Sequence, residues 1–132
     1  MVLKLKRSLK VEVCLTPLKG WGVFATSPIY SGEVIEECPL IEIPRKAYQC
    51  VPDLFQDYAF NSLLQNNIPV LPLGLGGIYN HSESPNAKWQ LHPENSKIFQ
   101  FISIKEIIPG EEICTSYGGA EYWKHRPHVK IV

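Results

Sequence analysis

The stretch that decides the reading of this chain is Asn80-His81-Ser82-Glu83-Ser84-Pro85-Asn86. It follows an apolar run from Leu73 to Tyr79 and replaces it abruptly with polar, turn-forming side chains. Asx side chains commonly cap such turns, so Asn80 and Asn86, each taken alone, read as structural. A second stretch of the same kind lies downstream, Glu112-Ile113-Cys114-Thr115-Ser116-Tyr117-Gly118. Tyr117, set between a serine and two glycines, is poorly placed for packing alone. Its hydroxyl can enter a cavity while the glycines admit a ligand close to the backbone. If the two stretches meet, they build a pocket from loops on a rigid scaffold, which is where function concentrates.

Around these stretches the chain is interrupted often. Eleven prolines and nine glycines in 132 residues divide it into short pieces rich in Val, Ile, Phe and Tyr, the mark of many short strands with irregular connections. Strands are expected at 11–15, 23–26, 33–38, 40–43, 88–91, 98–104 and 112–115, with turns at Pro28 to Gly32 and at Pro109-Gly110. Trp89 to Leu91 and Ile98 to Ile104 form a hairpin in this reading, and the apolar run of the latter suits a strand covered on both faces. One helix is expected: Pro52 fits a first turn, Leu54, Tyr58 and Asn61 repeat at helical spacing, and Asn66-Asn67 end it. The fold class is mostly β with one short helix. A chain of this length reads as one domain, since single cores commonly span about 100–200 residues.

Thirteen basic residues balance thirteen acidic ones, so global charge predicts no affinity for nucleic acid or an anionic membrane, and only a local patch could supply it. Cys14, Cys38, Cys50 and Cys114 are widely spaced and form no C-x-x-C pair. That spacing argues against a cysteine zinc site and for free, buried thiols in a reducing compartment. The basic start resembles a signal peptide, but Lys4, Lys6, Arg7 and Lys10 leave no apolar h-region. Its alternation suits an edge strand instead. No window approaches a membrane span, and a soluble, intracellular protein is expected.

Gly20-Trp21-Gly22 precedes the strand at Val23. Glycines on either side of an aromatic let a ligand approach the backbone, although a G-x-G more often serves a tight turn. It is not a dinucleotide fingerprint, because no third glycine and no helix follow. His81 has no metal-ligand spacing with His92, His125 or His128, so a hydrogen-bonded structural histidine is the plainer reading. No serine stands in a recognisable nucleophile motif. Glu111 and Glu112 are neighbours on a strand and point to opposite faces, so they are not an acid–base pair.

In this order, Gly20-Trp21-Gly22-Val23-Phe24-Ala25, Asn80-His81-Ser82 with Pro85-Asn86-Ala87, and Gly110-Glu111-Glu112-Ile113 with Ser116-Tyr117-Gly118 resemble a SET domain. That is the fold of many protein-lysine methyltransferases. The middle segment is the most specific of the three. The resemblance runs from about Val11 to Trp123, leaving 124–132 as a short tail of a single SET domain spanning 1–132. It is closest to the minimal stand-alone viral members, through Asp57-Tyr58-Ala59-Phe60, Leu73-Gly74-Leu75-Gly76 and Tyr122-Trp123. The fold implied is β-clip-like: several short sheets, one short helix, and a knot-like C-terminal crossing of the Asn-His loop over the Tyr117 segment.

The resemblance also implies roles. Gly20, Trp21 and Gly22 would bind S-adenosylmethionine through backbone groups, Asn80 and His81 would hold its amino group and adenine, and Trp123 would pack on the adenine. Tyr117 would be the catalytic tyrosine at the methyl-transfer end of the cofactor site, and Tyr58 and Tyr122 would line the substrate-lysine channel. The product would be S-adenosylhomocysteine. The partner would be a protein with a basic, lysine-containing tail, a histone first among them, which would put the protein in the nucleus; no direct nucleic-acid or membrane contact is expected. Glu36, Glu37 and Glu121 are candidates to line the peptide groove, with solvated surface as the plainer reading of each. Many relatives carry a cysteine where Glu83 stands and a zinc-binding segment after the domain. Here Tyr122, Trp123 and the tail would close the site without zinc or any other metal. Two other readings stay open: a silent SET module that binds peptide or cofactor without turnover, and a β-rich metalloprotein. A homodimer is compatible with so small a domain, though no interface signature is visible.

Overall fold

The structure, a computed structural model, describes residues 4–52, 55, 58–61 and 68–116. The mostly β expectation holds, and the chain divides into two compact units.

Of the described residues, one unit takes 8–33, 78–88 and 102–116. Strands β1 (Val11–Thr16) and β2 (Gly20–Ala25) form an antiparallel hairpin paired from Val11↔Ala25 to Thr16↔Gly20. Thr16 fixes its turn: the hydroxyl donates to the Gly20 carbonyl at 2.8 Å and accepts the Lys19 N–H at 3.1 Å. The strand at Glu112–Thr115, here β9, pairs antiparallel with β2 through Val23↔Ile113 and Phe24↔Glu112. A two-residue strand, β6 (Asn80–His81), then pairs with β9 in parallel, giving the order β1-β2-β9-β6. Val23 and Ile113 are 0 % exposed on one face of this sheet, the alternation expected when only one face is fully covered.

The other unit takes the described residues among 4–7, 34–77 and 89–101. A second sheet, to which this unit supplies all but the ends of two strands, runs in the order β4 (Phe60–Asn61), β5 (Pro69–Pro72), β3 (Val34–Glu42), β8 (Ile98–Ser103), β7 (Ala87–Leu91). The apolar run at Ile98 is covered on both faces as its composition requires, and Phe99 and Phe101 are fully buried. Trp89 stacks on Phe99 at 5.0 Å, and Phe60 meets Trp89 and Phe99 edge-on at 5.0 and 5.6 Å, the offset and edge geometries that ring quadrupoles favour.

Some expectations need correction. The strands foreseen at 33–38 and 40–43 are one strand, β3, because the Pro39 carbonyl still accepts the Leu73 N–H at 2.9 Å and Leu40 N–H still reaches the Lys97 carbonyl at 2.9 Å. The helix with defined bounds is α1 (Arg45–Tyr48), which starts directly after Pro44. Of the segment expected to be helical, Phe55 and Tyr58 make i→i−3 turns with Pro52 and Phe55. Phe60–Asn61 is already strand, because the Phe60 ring belongs to the aromatic core and Asn61 pairs with Pro69. Residues 53, 54, 56, 57 and 62–67 of that segment lie outside the described residues. The thiols are free, but only Cys38 and Cys114 are buried; Cys14 is half-buried and Cys50 exposed. Burial and the neighbouring Glu112 push the Cys114 thiol up to about 11, which keeps it protonated and inert at neutral pH.

Glu36 and Glu37 do not line a groove. They are 4 % and 7 % exposed and accept backbone N–H groups of their own unit, Leu75 N–H on Glu36 Oε2 and Lys6 N–H on Glu37 Oε1, both at 2.9 Å. Gly74, at φ 69°, is what lets the loop close on Glu36, since a Cβ there would stand 2.5 Å from Oε2. Burial would raise the Glu37 carboxyl, but the Gln100 amide, the Lys6 N–H and the charges of His92 and Lys6 outweigh it and hold it below the ordinary carboxylate value. A carboxyl lowered on folding stabilises the fold above its unfolded pKa of about 4.3 and loses that contribution as pH falls through the folded value. Glu37→Gln should therefore melt below the wild type at pH 7, and the gap should close as melts are repeated below about pH 4. A gap that is constant with pH would remove the charge from the account.

Candidate functional site

The parallel pairing of β6 with β9 sets the two quoted stretches side by side, with Asn80 opposite Cys114 and His81 opposite Thr115. Ser82 N–H continues the contact to the Thr115 carbonyl at 3.0 Å. Asn86 completes it with its side chain, which imitates a peptide group. Its Nδ2 donates to the Glu112 carbonyl at 2.8 Å, and its Oδ1 accepts the Cys114 N–H at 2.9 Å. Asn86 and the two-residue strand thus hold β9 along the side that β2 leaves free.

Asn80 points the other way, toward β2. Its Nδ2 donates to the Trp21 carbonyl at 3.0 Å and to Glu112 Oε2 at 2.7 Å. Lys19 Nζ stands 3.6 Å from Glu112 Oε1. The β2–β9 ladder covers Val23 and Phe24, and beyond it the Asn80 amide takes the place of a backbone donor. Gly22 is required here for space: a Cβ would stand 2.6 Å from Glu112 Oε2 and 3.1 Å from Asn80 Nδ2. Trp21 is 59 % exposed beside this cluster, high for a residue type that is buried on average.

His81 is 9 % exposed, and its Nε2 lies within hydrogen-bond distance of Glu83 Oε1, at 3.0 Å. Glu83 itself is exposed, so the pair ties the loop tip to a buried ring. Thr115, 1 % exposed, has a side-chain oxygen with no hydrogen-bond partner among the described residues. Among the described residues, no group of three or more His, Cys, Asp or Glu could hold a metal ion.

Of the residues singled out from the sequence, Gly20, Trp21, Gly22, Asn80 and His81 fall in this one unit, on the sheet just described. Tyr58 belongs to the other unit, 48 % exposed, with its Cδ1 3.4 Å from where a Cβ of Gly77 would lie. Tyr117, Tyr122, Trp123 and Glu121 lie outside the described residues, and so does the half of the crossing that Tyr117 would form. Sequence reasoning missed Glu112 and Lys19. The opposite-face argument was sound: Glu111 turns to the Ile108 N–H at 3.1 Å, while Glu112 turns to Asn80. Its one signal was position, since an acid at the start of an otherwise buried strand must find a donor.

A small β domain whose Asn-His strand lies parallel to the strand Glu112–Thr115, beside a glycine-cleared carboxylate, belongs to a narrow class. Residues 20–118 match the SET domain, and the chain belongs to the SET-domain family. It is 32 % identical over 108 residues to "Histone-lysine N-methyltransferase, H3 lysine-37 specific" of Schizosaccharomyces pombe, covering 82 % of this chain and 73 % of that protein. It is 28 % identical over 109 residues to "Protein-lysine N-trimethyltransferase SMYD5" of Danio rerio, covering 78 % of this chain and 25 % of that one. A Plasmodium falciparum crystal structure, described in provisional terms as a histone methyltransferase, superposes with a TM-score of 0.71 at 31 % identity, over 86 % of this chain and 96 % of its own. Family and relatives together make this a SET-domain protein-lysine methyltransferase. No helix among the described residues is long and apolar enough to cross a membrane.

Proposed function

We propose that the protein transfers a methyl group from S-adenosylmethionine to the side-chain amine of a lysine, with a histone tail as its substrate. The observation that carries this is the β6–β9 pairing, which lays Asn80-His81 against the strand leading into Ser116-Tyr117. The single SET domain of 1–132 is the unit of activity in this reading, with the nucleus as its place of work if histones are its substrate.

The described residues fit such a cofactor. Gly22 leaves room for the Glu112 carboxylate to reach Asn80, the Asn80 side-chain oxygen accepts from no described residue, and Trp21 is exposed beside them. Gly20, Trp21 and Gly22 would hold the molecule through backbone groups, Asn80 and His81 through its amino group and adenine, and Trp123 by stacking. When bound, S-adenosylmethionine supplies an electrophilic sulfonium methyl. Tyr58 and Tyr122 would line the lysine channel, and Tyr117 would orient the amine for in-line attack. A lysine of pKa about 10.4 is neutral at pH 7 in only about one molecule in 2,500, a cost of roughly 4.6 kcal/mol. Burial among aromatic rings lowers that pKa by disfavouring the ammonium, so no dedicated base is needed and positioning provides much of the rate.

Mass spectrometry of a histone reaction tests the reading and yields site and methyl number together. Peptide binding without product from labelled S-adenosylmethionine would turn the protein into a silent module. Tyr117→Phe should lower turnover about tenfold or more, the value of one hydrogen bond made at the reacting centre, with a smaller change in cofactor affinity. Unchanged turnover would remove Tyr117 from the mechanism.

A further inference from the structure

Asn80 does not set its own orientation. Its Nδ2 faces the Trp21 carbonyl at 3.0 Å and the Glu112 carboxylate at 2.7 Å, and both groups only accept. Reversing the amide would put Oδ1 against two oxygens and lose both bonds. The amide is therefore locked, and its Oδ1 is turned away from this pair. No described residue donates to that oxygen.

Glu112 is the part of this lock that carries charge. Gly22 clears the space for its carboxylate, and Lys19 holds the far oxygen at 3.6 Å. The carboxylate itself is half-buried, with a side chain 17 % exposed. A carboxylate in such a place strengthens the bond it accepts, because a charged acceptor binds roughly twice as strongly as a neutral one. It also adds a negative field next to an unpartnered acceptor.

We propose that Glu112 is a positioning residue that makes this site selective for a cationic amine. By fixing Asn80 Nδ2 it presents Asn80 Oδ1 to the ligand, and the group that suits an acceptor beside a carboxylate is an ammonium. On the cofactor reading above, on which this inference rests, that group is the α-ammonium of the amino-acid end. Glu112 touches neither the methyl nor the lysine; it acts through Asn80.

The test compares S-adenosylhomocysteine with its analogue in which the α-amino group is replaced by hydrogen, each titrated calorimetrically into the wild type, Glu112→Gln and Glu112→Ala. In the wild type the deaminated analogue should bind about 100-fold more weakly, the worth of a charge-assisted hydrogen bond. That ratio should shrink to about tenfold in Glu112→Gln, whose amide oxygen still accepts from Asn80, and to about twofold in Glu112→Ala. A merely structural role would weaken both ligands alike and leave the ratio at its wild-type value, which overturns the assignment. The Gln variant is isosteric and carries the test even if the Ala variant does not fold. A wild type that binds neither ligand overturns the cofactor reading, and this assignment with it, and that result is distinct from an unchanged ratio.

Discussion

Gly22→Ala is expected to weaken S-adenosylhomocysteine binding about 100-fold while lowering the melting temperature by only about 5–10 °C. A Cβ at this position would meet Glu112 Oε2 at 2.6 Å, Asn80 Nδ2 at 3.1 Å and Phe24 Cε1 at 3.2 Å. The nearest of these is the end of a long side chain, so Glu112 can swing aside and the sheet survives. Overpacking of that kind costs about 1–3 kcal/mol. The swing, however, takes the carboxylate from Asn80 and Lys19 and puts a methyl where it stood. Losing a hydrogen bond to a charged group costs about 1.5–3 kcal/mol, and that loss falls on ligand contact more than on folding. Gly32→Ala is the control. Its φ of 85° makes an alanine strained, yet no atom lies within 4 Å of the added Cβ. It should cost about 1–2 kcal/mol in stability and leave affinity unchanged. Titration and melting of both variants decide the matter: if Gly22→Ala binds like the wild type, the contact of Gly22 with Glu112 and Asn80 is no part of the site.

Much of this was legible in the sequence because glycines, prolines and Asx residues act locally. The strand at Glu112 follows from the Pro109-Gly110 turn and the apolar run, and its bounds come out as read. The described parts of the three family segments, Gly20–Ala25, Asn80–His81 and Glu112–Thr115, are strands of one sheet. What stayed hidden depends on partners far away in the chain. Pro39 looked like a break, but its carbonyl and its neighbours' N–H groups are satisfied from Leu73 and Lys97. Phe60 looked helical until Trp89 and Phe99 claimed its ring, 29 and 39 positions on. Glu36 and Glu37 looked like solvated or groove acids, and only Leu75, Lys6 and Gln100 show that they are buried acceptors. Glu112 was dismissed as half of a pair that could not form. Its actual partner, Asn80, is 32 residues upstream, and a one-dimensional reading has no term for it.

Asn86→Ala is expected to be the more damaging change to the fold. Its side chain closes two backbone groups of β9, the Glu112 carbonyl and the Cys114 N–H, at 2.8 and 2.9 Å. Cys114 is 6 % exposed and Asn86 8 %, so no water replaces the amide without opening the sheet. Each backbone group left unpaired costs about 1–3 kcal/mol, so the pair costs about 2–6 kcal/mol, a large share of the roughly 5–15 kcal/mol that holds a domain folded. Asn86→Asp separates hydrogen bonding from packing, because it keeps the shape and the acceptor for Cys114 N–H. At neutral pH it sets a carboxylate oxygen against the Glu112 carbonyl, so it should be at least as unstable as the alanine variant. Protonation restores a donor to that contact, which raises the folded-state pKa of this aspartate above its unfolded value of about 3.9. A group raised on folding stabilises most below its unfolded pKa and loses that contribution as pH rises through the folded value. The deficit of Asn86→Asp against the wild type, measured by denaturant unfolding at each pH, should therefore shrink toward about pH 4, whereas the deficit of Asn86→Ala stays flat. If both deficits are flat and small, Asn86 does not hold β9. In that case the strand leading into Tyr117 is fixed by its pairing with β2 and β6.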